Sequence, residues 1–150
     1  MTAADMLYRT VTLVRPLHRN VHRVVEARLA GTGLSVAGRA VLETLLAEPL
    51  TVPDIARKLS MKRQFVQRVA GELMAAEFVE RVENPRHRTA CLCRPTEKGR
   101  ALFEQVHAGE QAMLERLADD LPEAEIAAAL RVMRRLAEGF EVLAQGEEGK

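Results

Sequence analysis

The strongest constraint on this chain lies in residues 50–99, where several local signals follow one another without a gap. Leu50-Thr51-Val52-Pro53-Asp54-Ile55-Ala56-Arg57-Lys58-Leu59-Ser60-Met61 reads as a short helix and a turn. Thr51 suits the cap, and Pro53 and Asp54 suit the first turn. A second helix is predicted over 62–74, with Val66, Val69 and Leu73 inward at steps of three and four. Two apolar runs, Phe78-Val79 through Val82 and Cys91-Leu92-Cys93, then flank the basic tip Asn84-Pro85-Arg86-His87-Arg88, as in a hairpin. Thr96-Glu97-Lys98-Gly99 opens a further helix, capped by the Thr96 hydroxyl. Helix, turn, cationic helix and basic-tipped hairpin, in that order, suit a reader of double-stranded DNA.

The flanks are helical. Leu7, Val11, Val14, His18, Val21, Val25 and Leu29 trace one face of a long first helix, which Pro16 should kink or cut back to a later start. Gly31-Thr32-Gly33 ends it. Ser35 caps a second helix running to about Glu48, with Val36, Ala40, Val41, Leu45 and Leu46 inward, and Pro49 stops it. The helix from Thr96 carries Leu102, Val106, Met113, Leu114 and Leu117. After Leu121-Pro122-Glu123 a sixth helix carries Ile126, Leu130, Val132, Met133, Leu136, Phe140 and Leu143, and residues 146–150 should fray.

The fold class is therefore mainly α with a small two- or three-stranded β wing: four helices, the wing, then two helices. Residues 1–150 form a single domain, with a winged helix-turn-helix lobe at 35–99 and dimerisation helices at 5–30 and 96–145. The outer helices carry more apolar surface than so small a module can cover. A second copy of the chain in a two-fold homodimer is the economical partner, and a monomeric bundle is the alternative.

The formal net charge of +1 conceals a strong division. Residues 1–53 carry six Lys/Arg against four Asp/Glu, residues 54–100 eleven against six, and residues 101–150 five against eleven. Basic charge thus concentrates where the DNA-reading pattern lies, and phosphate would repel the acidic third. No apolar run approaches the roughly 20 residues of a membrane span, and no secretory h-region is visible, so a cytoplasmic location is expected. No P-loop, dinucleotide fingerprint, nucleophile elbow or zinc-protease helix occurs, so neither catalysis nor a cofactor is expected.

On the cationic helix, Lys62, Arg63, Gln64, Gln67 and Arg68 surround the side opposite the apolar positions. Arg can take guanine O6 and N7 bidentately and Gln can take adenine N6 and N7. Arg63, Gln64 and Gln67 are the candidates for base edges, with Lys62 and Arg68 for phosphates; the plainer alternative is a solvated basic face. Phe65 is expected to pack at the module boundary rather than to touch a thymine methyl. Cys91 and Cys93 should share the strand face that leads to Pro95 and the core, as small hydrophobes rather than redox sensors. His18 and His22, one turn apart, have a spacing that could bring two imidazoles to a metal, but interface histidines are the simpler reading.

Residues 35–103 resemble the MarR family of bacterial winged-helix regulators. The resemblance is carried by Leu50-Thr51-Val52, Ile55-Ala56 and Leu59, then by Val66, Arg68-Val69 and Leu73. Phe78-Val79-Glu80-Arg81, Asn84-Pro85, Arg88 and Thr96-Glu97-Lys98-Gly99 complete it. It implies a dimeric regulator on a pseudo-palindromic operator, most simply a repressor released by a small-molecule effector. Arg88 matches the wing arginine and, with Arg86, becomes a candidate for DNA contact in the minor groove. An effector pocket is implied between the outer helices and the DNA-reading module, where Arg15, His18, Arg19, His22 and Arg39 could meet an anionic or aromatic ligand. Two departures are visible. His87 stands where an acidic partner of the wing arginine is common, which leaves a protein-interaction module without DNA binding as the rival reading. Lys62 stands where relatives carry a capping hydroxyl, leaving Ser60 as the candidate cap.

Overall fold

The computed structural model describes residues 1–148. The chain order is α1 (Ala3–Leu29), α2 (Val36–Ala47), α3 (Val52–Lys58), α4 (Arg63–Ala75), β1 (Val79–Val82), β2 (Leu92–Pro95), α5 (Glu97–Ala118) and α6 (Glu123–Glu148). The two strands pair antiparallel, with Val79 opposite Pro95 and Val82 opposite Leu92. A one-residue bridge from Leu50 to Cys93 adds the rudiment of a third strand.

Hydroxyl side chains start four of the helices. Ser35 accepts from the Gly38 amide at 2.9 Å, Thr51 from Asp54 at 3.3 Å and Thr96 from Gly99 at 3.0 Å. Thr2 and Asp5 form a reciprocal capping box at the head of α1. That cap starts the helix well before Pro16, which lies inside an unbroken α1. A proline removes one amide donor, and the hydrogen-bonded turns on both sides carry the helix past it. At α4, Lys62 is the cap residue and gives no side-chain bond. Ser60 does not take over that role, because it is used to end α3.

Both helices of the helix-turn-helix end in the same way. Ser60 adopts φ 51° and Glu77 φ 61°, the left-handed region usually filled by glycine. At the end of α3, the Met61 amide donates to the Ala56 carbonyl at 2.9 Å and Ser60 to Arg57 at 3.3 Å. At the end of α4, Phe78 donates to Leu73 at 2.9 Å and Glu77 to Met74 at 3.0 Å. These are two Schellman closures, each using a residue with a Cβ.

The chain divides into two units, 1–107 and the remainder. In the first, Val41, Leu42, Leu45, Ile55 and Val66 are wholly buried, joined by Val69, Leu73, Phe78, Val79, Cys93 and Phe103. Leu42 and Phe103 belong to this core although periodicity alone did not select them. Gly99 brings the start of α5 so close to the hairpin that a Cβ there would lie 2.1 Å from the Phe78 carbonyl oxygen.

Of the predicted apolar face of α1, only Leu29 is buried; Val11 and Val25 are half-buried, while Leu7, Val14 and Val21 are exposed. In the second unit, Leu114, Leu117, Ile126, Leu130, Met133, Phe140 and Leu143 are exposed. The expected fraying from Gly146 does not occur before Glu148, because α6 remains helical to that point. Gly149 and Lys150 lie outside the described residues.

Candidate nucleic-acid interface

Burial of Val66, Val69, Ala70 and Leu73 fixes the rotation of α4. At 3.6 residues per turn, this leaves Gln64 and Arg68 on the crest of the opposite face. Lys62, Arg63, Gln64, Gln67 and Arg68 are all exposed. Arg63 and Gln67, one turn apart, form the flank toward the hairpin. With Thr51, Arg81, Thr89 and Cys91 they line a cleft of about 210 Å³. Phe65 lies on the other flank.

Neighbouring charges position part of this face. The Arg68 guanidinium carbon sits 5.1 Å from the centroid of the Phe65 ring, and its Nε is 4.0 Å from Glu72 Oε1. Phe65 is 37% exposed and contributes nothing to the core cluster, so it does not pack at the module boundary as the sequence led us to expect. The reason is rotational: Val66 and Val69 take the inward direction, and a residue one position before Val66 points about 100° away from it.

The helix before it is held rigidly at its head. The Thr51 hydroxyl donates to Asp54 Oδ2 at 2.7 Å, and Arg57 Nη1 donates to Asp54 Oδ1 at 3.0 Å. The Thr51 hydrogen bond, with Arg57 beside it, holds the Asp54 carboxyl below the usual carboxylate range. Lys58 reaches back to Glu48 at 2.8 Å.

The hairpin is braced at its base and open at its tip. Arg94 Nη2 donates to Glu80 Oε1 at 2.6 Å, directly across the ladder. At the tip, Asn84 Oδ1 accepts from the Arg86 amide at 3.0 Å and the Asn84 carbonyl from the His87 amide at 3.2 Å. The turn is thus closed through Asn84, without the His87 side chain. Arg86 and Arg88 are exposed, and among the described residues neither has an ion-pair partner.

The cysteines border the same cleft but differ in burial. Cys93 is 2% exposed, and burial pushes its thiol pKa up. Cys91 precedes β2 and is exposed, so the two do not share a buried face. Arg81, which the sequence reading did not select, lies opposite Cys93 in the ladder and lines the cleft with Arg63 and Gln67. The strand register was the missing signal, since it decides which face of β1 turns toward α4.

The residues expected at an effector pocket are dispersed in character. Arg15, His18, Arg19 and His22 are exposed along α1, and the rings of His18 and His22 are 6.4 Å apart and tilted. Arg39 on α2 is committed to Glu43 at 2.8 Å and stacks over Phe103 with its guanidinium carbon 5.4 Å from the ring centroid. Among the described residues no cluster of three or more His, Cys, Asp or Glu side chains could hold a metal.

Comparison with known proteins decides the family. A sequence model described as MarR family matches residues 32–88. The crystal structure of the MarR family transcription regulator SP03579 is 34% identical, with a TM-score of 0.85 and 95% of each chain covered. The chain belongs to the MarR family. The HTH-type transcriptional repressor MdtR of Bacillus subtilis is 27% identical over 143 residues, covering 94% of this chain and 92% of MdtR. Streptococcus pneumoniae FabT, whose structure was solved in complex with DNA, shares the fold at 22% identity and a TM-score of 0.77, covering 91% of this chain and 99% of FabT. The MarR family comprises transcriptional regulators rather than enzymes, and this member has its winged-helix, DNA-binding architecture. Among the described residues no helix is long and apolar enough to cross a membrane.

Proposed function

We propose that this MarR-family regulator acts in the cytoplasm as a homodimeric repressor of a pseudo-palindromic operator, released by a small anionic or aromatic effector. The reading rests chiefly on one observation: the exposed cationic face of α4 stands beside a wing whose tip arginines have no ion-pair partner among the described residues. In this reading Arg63, Gln64 and Gln67 read base edges, Lys62 and Arg68 hold phosphates, and Arg86 and Arg88 enter the minor groove.

Residues 35–99 then form the DNA-binding lobe, and the outer helices pair two protomers. Exposed Leu7, Val14 and Val21 on α1, and Leu130 and Met133 on α6, support this by supplying apolar surface for a second copy. A dimer would present two recognition helices to successive major grooves about 34–36 Å apart. An effector meeting Arg15, His18, Arg19, His22 and Arg39 would act by favouring a spacing that no longer fits.

Footprinting on DNA upstream of the protein's own gene, with sedimentation analysis of the free protein, tests the proposal. The expected result is a two-fold symmetric footprint with half-sites about one helical turn apart, and a dimeric mass. A monomer, or no footprint with loss of salt-dependent DNA affinity, would overturn it and favour a protein-interaction module.

A further inference from the structure

One feature of α4 is not needed for holding phosphates or hydrogen-bonding base edges. Phe65 exposes an aromatic ring on the first turn of this helix, whose N-terminal half also carries Lys62, Arg63 and Arg68. Its ring contact is with the Arg68 guanidinium, 5.1 Å from the centroid, and it lies outside the core. A guanidinium over one ring face restricts the ring's orientation while leaving other parts of it open.

The charge around the ring selects its occupant. Three cationic side chains on the same helix end favour a polyanion and disfavour an apolar protein surface, which would have to desolvate them. The apolar group that a polyanionic duplex offers in its major groove is the C5-methyl of thymine. Arg63 and Gln67 lie on the hairpin flank of α4 and Phe65 on the other. A thymine contacted by Phe65 would therefore be displaced along the groove from the bases met by Arg63 and Gln67.

The geometry points to Phe65 as a specificity-determining residue that reads the 5-methyl group of one thymine per operator half-site, with Arg68 positioning the ring. This rests on the proposed DNA-binding function and adds to it a base preference carried by apolar contact.

The test begins by selecting the preferred duplex from a random pool with the full-length protein. Each thymine is then replaced in turn by deoxyuridine, which removes only the methyl. Affinities are measured for the wild-type protein, Phe65→Ala and Phe65→Leu, with thermal unfolding confirming that each variant is folded. One thymine per half-site should show about a fourfold loss with deoxyuridine in the wild type, the scale of one buried methyl group. That loss should vanish in Phe65→Ala and be partly retained in Phe65→Leu.

A selected site with no methyl-sensitive thymine, or one whose methyl dependence is unchanged in Phe65→Ala, overturns the inference while leaving DNA binding intact. A change in oligomeric mass in Phe65→Ala without any methyl effect assigns the ring to a protein contact and overturns it as well. Failure to select any sequence would instead refute the proposed DNA-binding function beneath it.

Discussion

Gly99→Ala should be strongly destabilising to the unit formed by residues 1–107. The added Cβ would lie 2.1 Å from the Phe78 carbonyl oxygen, 2.9 Å from its carbonyl carbon and 3.2 Å from its Cα. All three atoms are backbone, so rotation of a side chain cannot relieve the clash. Phe78 is itself tied down: its amide donates to Leu73 at 2.9 Å and its carbonyl accepts from Thr96 at 3.0 Å. Relief would require separating α5 from the hairpin and weakening the Thr96 bond. Overpacking costs about 1–3 kcal/mol and a lost hydrogen bond about 1 kcal/mol, giving roughly 2–4 kcal/mol in all. That is a large part of the 5–15 kcal/mol typical of a whole domain. Urea unfolding followed by circular dichroism measures it, with Gly71→Ala as the control. A Cβ at Gly71 meets nothing within 4 Å inside α4, so that variant should gain roughly 0.5–1 kcal/mol from helix propensity. Gly99→Ala unfolding within about 0.5 kcal/mol of wild type, a small fraction of the expected overpacking cost, would refute the close-approach argument.

Glu77→Gly should raise stability by roughly 0.5–1 kcal/mol, because glycine removes the left-handed strain at φ 61° and the 3.7 Å contact to Lys98 is exposed; urea midpoints check this. Thr51→Ala should cost about 1 kcal/mol by removing the α3 cap. The Asp54 pKa is lowered in the folded protein, so its contribution is present above the unfolded value near 3.8 and lost as pH falls through the folded value. The stability gap between wild type and Thr51→Ala should therefore narrow in acid, as read from thermal unfolding across pH. Arg88→Ala should weaken DNA binding and reduce the salt slope by about one unit, and unchanged affinity and slope would remove the wing tip from the interface.

Much of this fold was legible because its local signals agree. Ser35, Thr51 and Thr96 are hydroxyl caps placed immediately before apolar-periodic runs, and each caps as expected. The spacing of Val66, Val69 and Leu73 gave the rotation of α4 and hence its exposed cationic face. Legibility failed where non-local geometry decides. Pro16 does not mark the start of α1, because the capping box of Thr2 and Asp5 starts the helix earlier. Ser60 and Glu77 hide two helix terminators because neither is glycine. Cys91 lies just before the strand and is exposed although it borders the same cleft as buried Cys93, and Arg81 joins that cleft only through its ladder register. The sequence identified Thr96-Glu97-Lys98-Gly99 as a helix start, but the need for glycine arises from Phe78, distant along the chain.

The most direct test of the account is the affinity of the intact protein for duplex DNA from upstream of its own gene. Fluorescence anisotropy across a salt series, with excess non-specific competitor, supplies it. The account predicts saturable, competitor-resistant binding at one dimer per site, with log K falling steeply and linearly against log salt as arginine and lysine contacts release counterions. A protein with no salt-dependent affinity for any duplex would contradict the assignment of the α4 face and the wing to DNA.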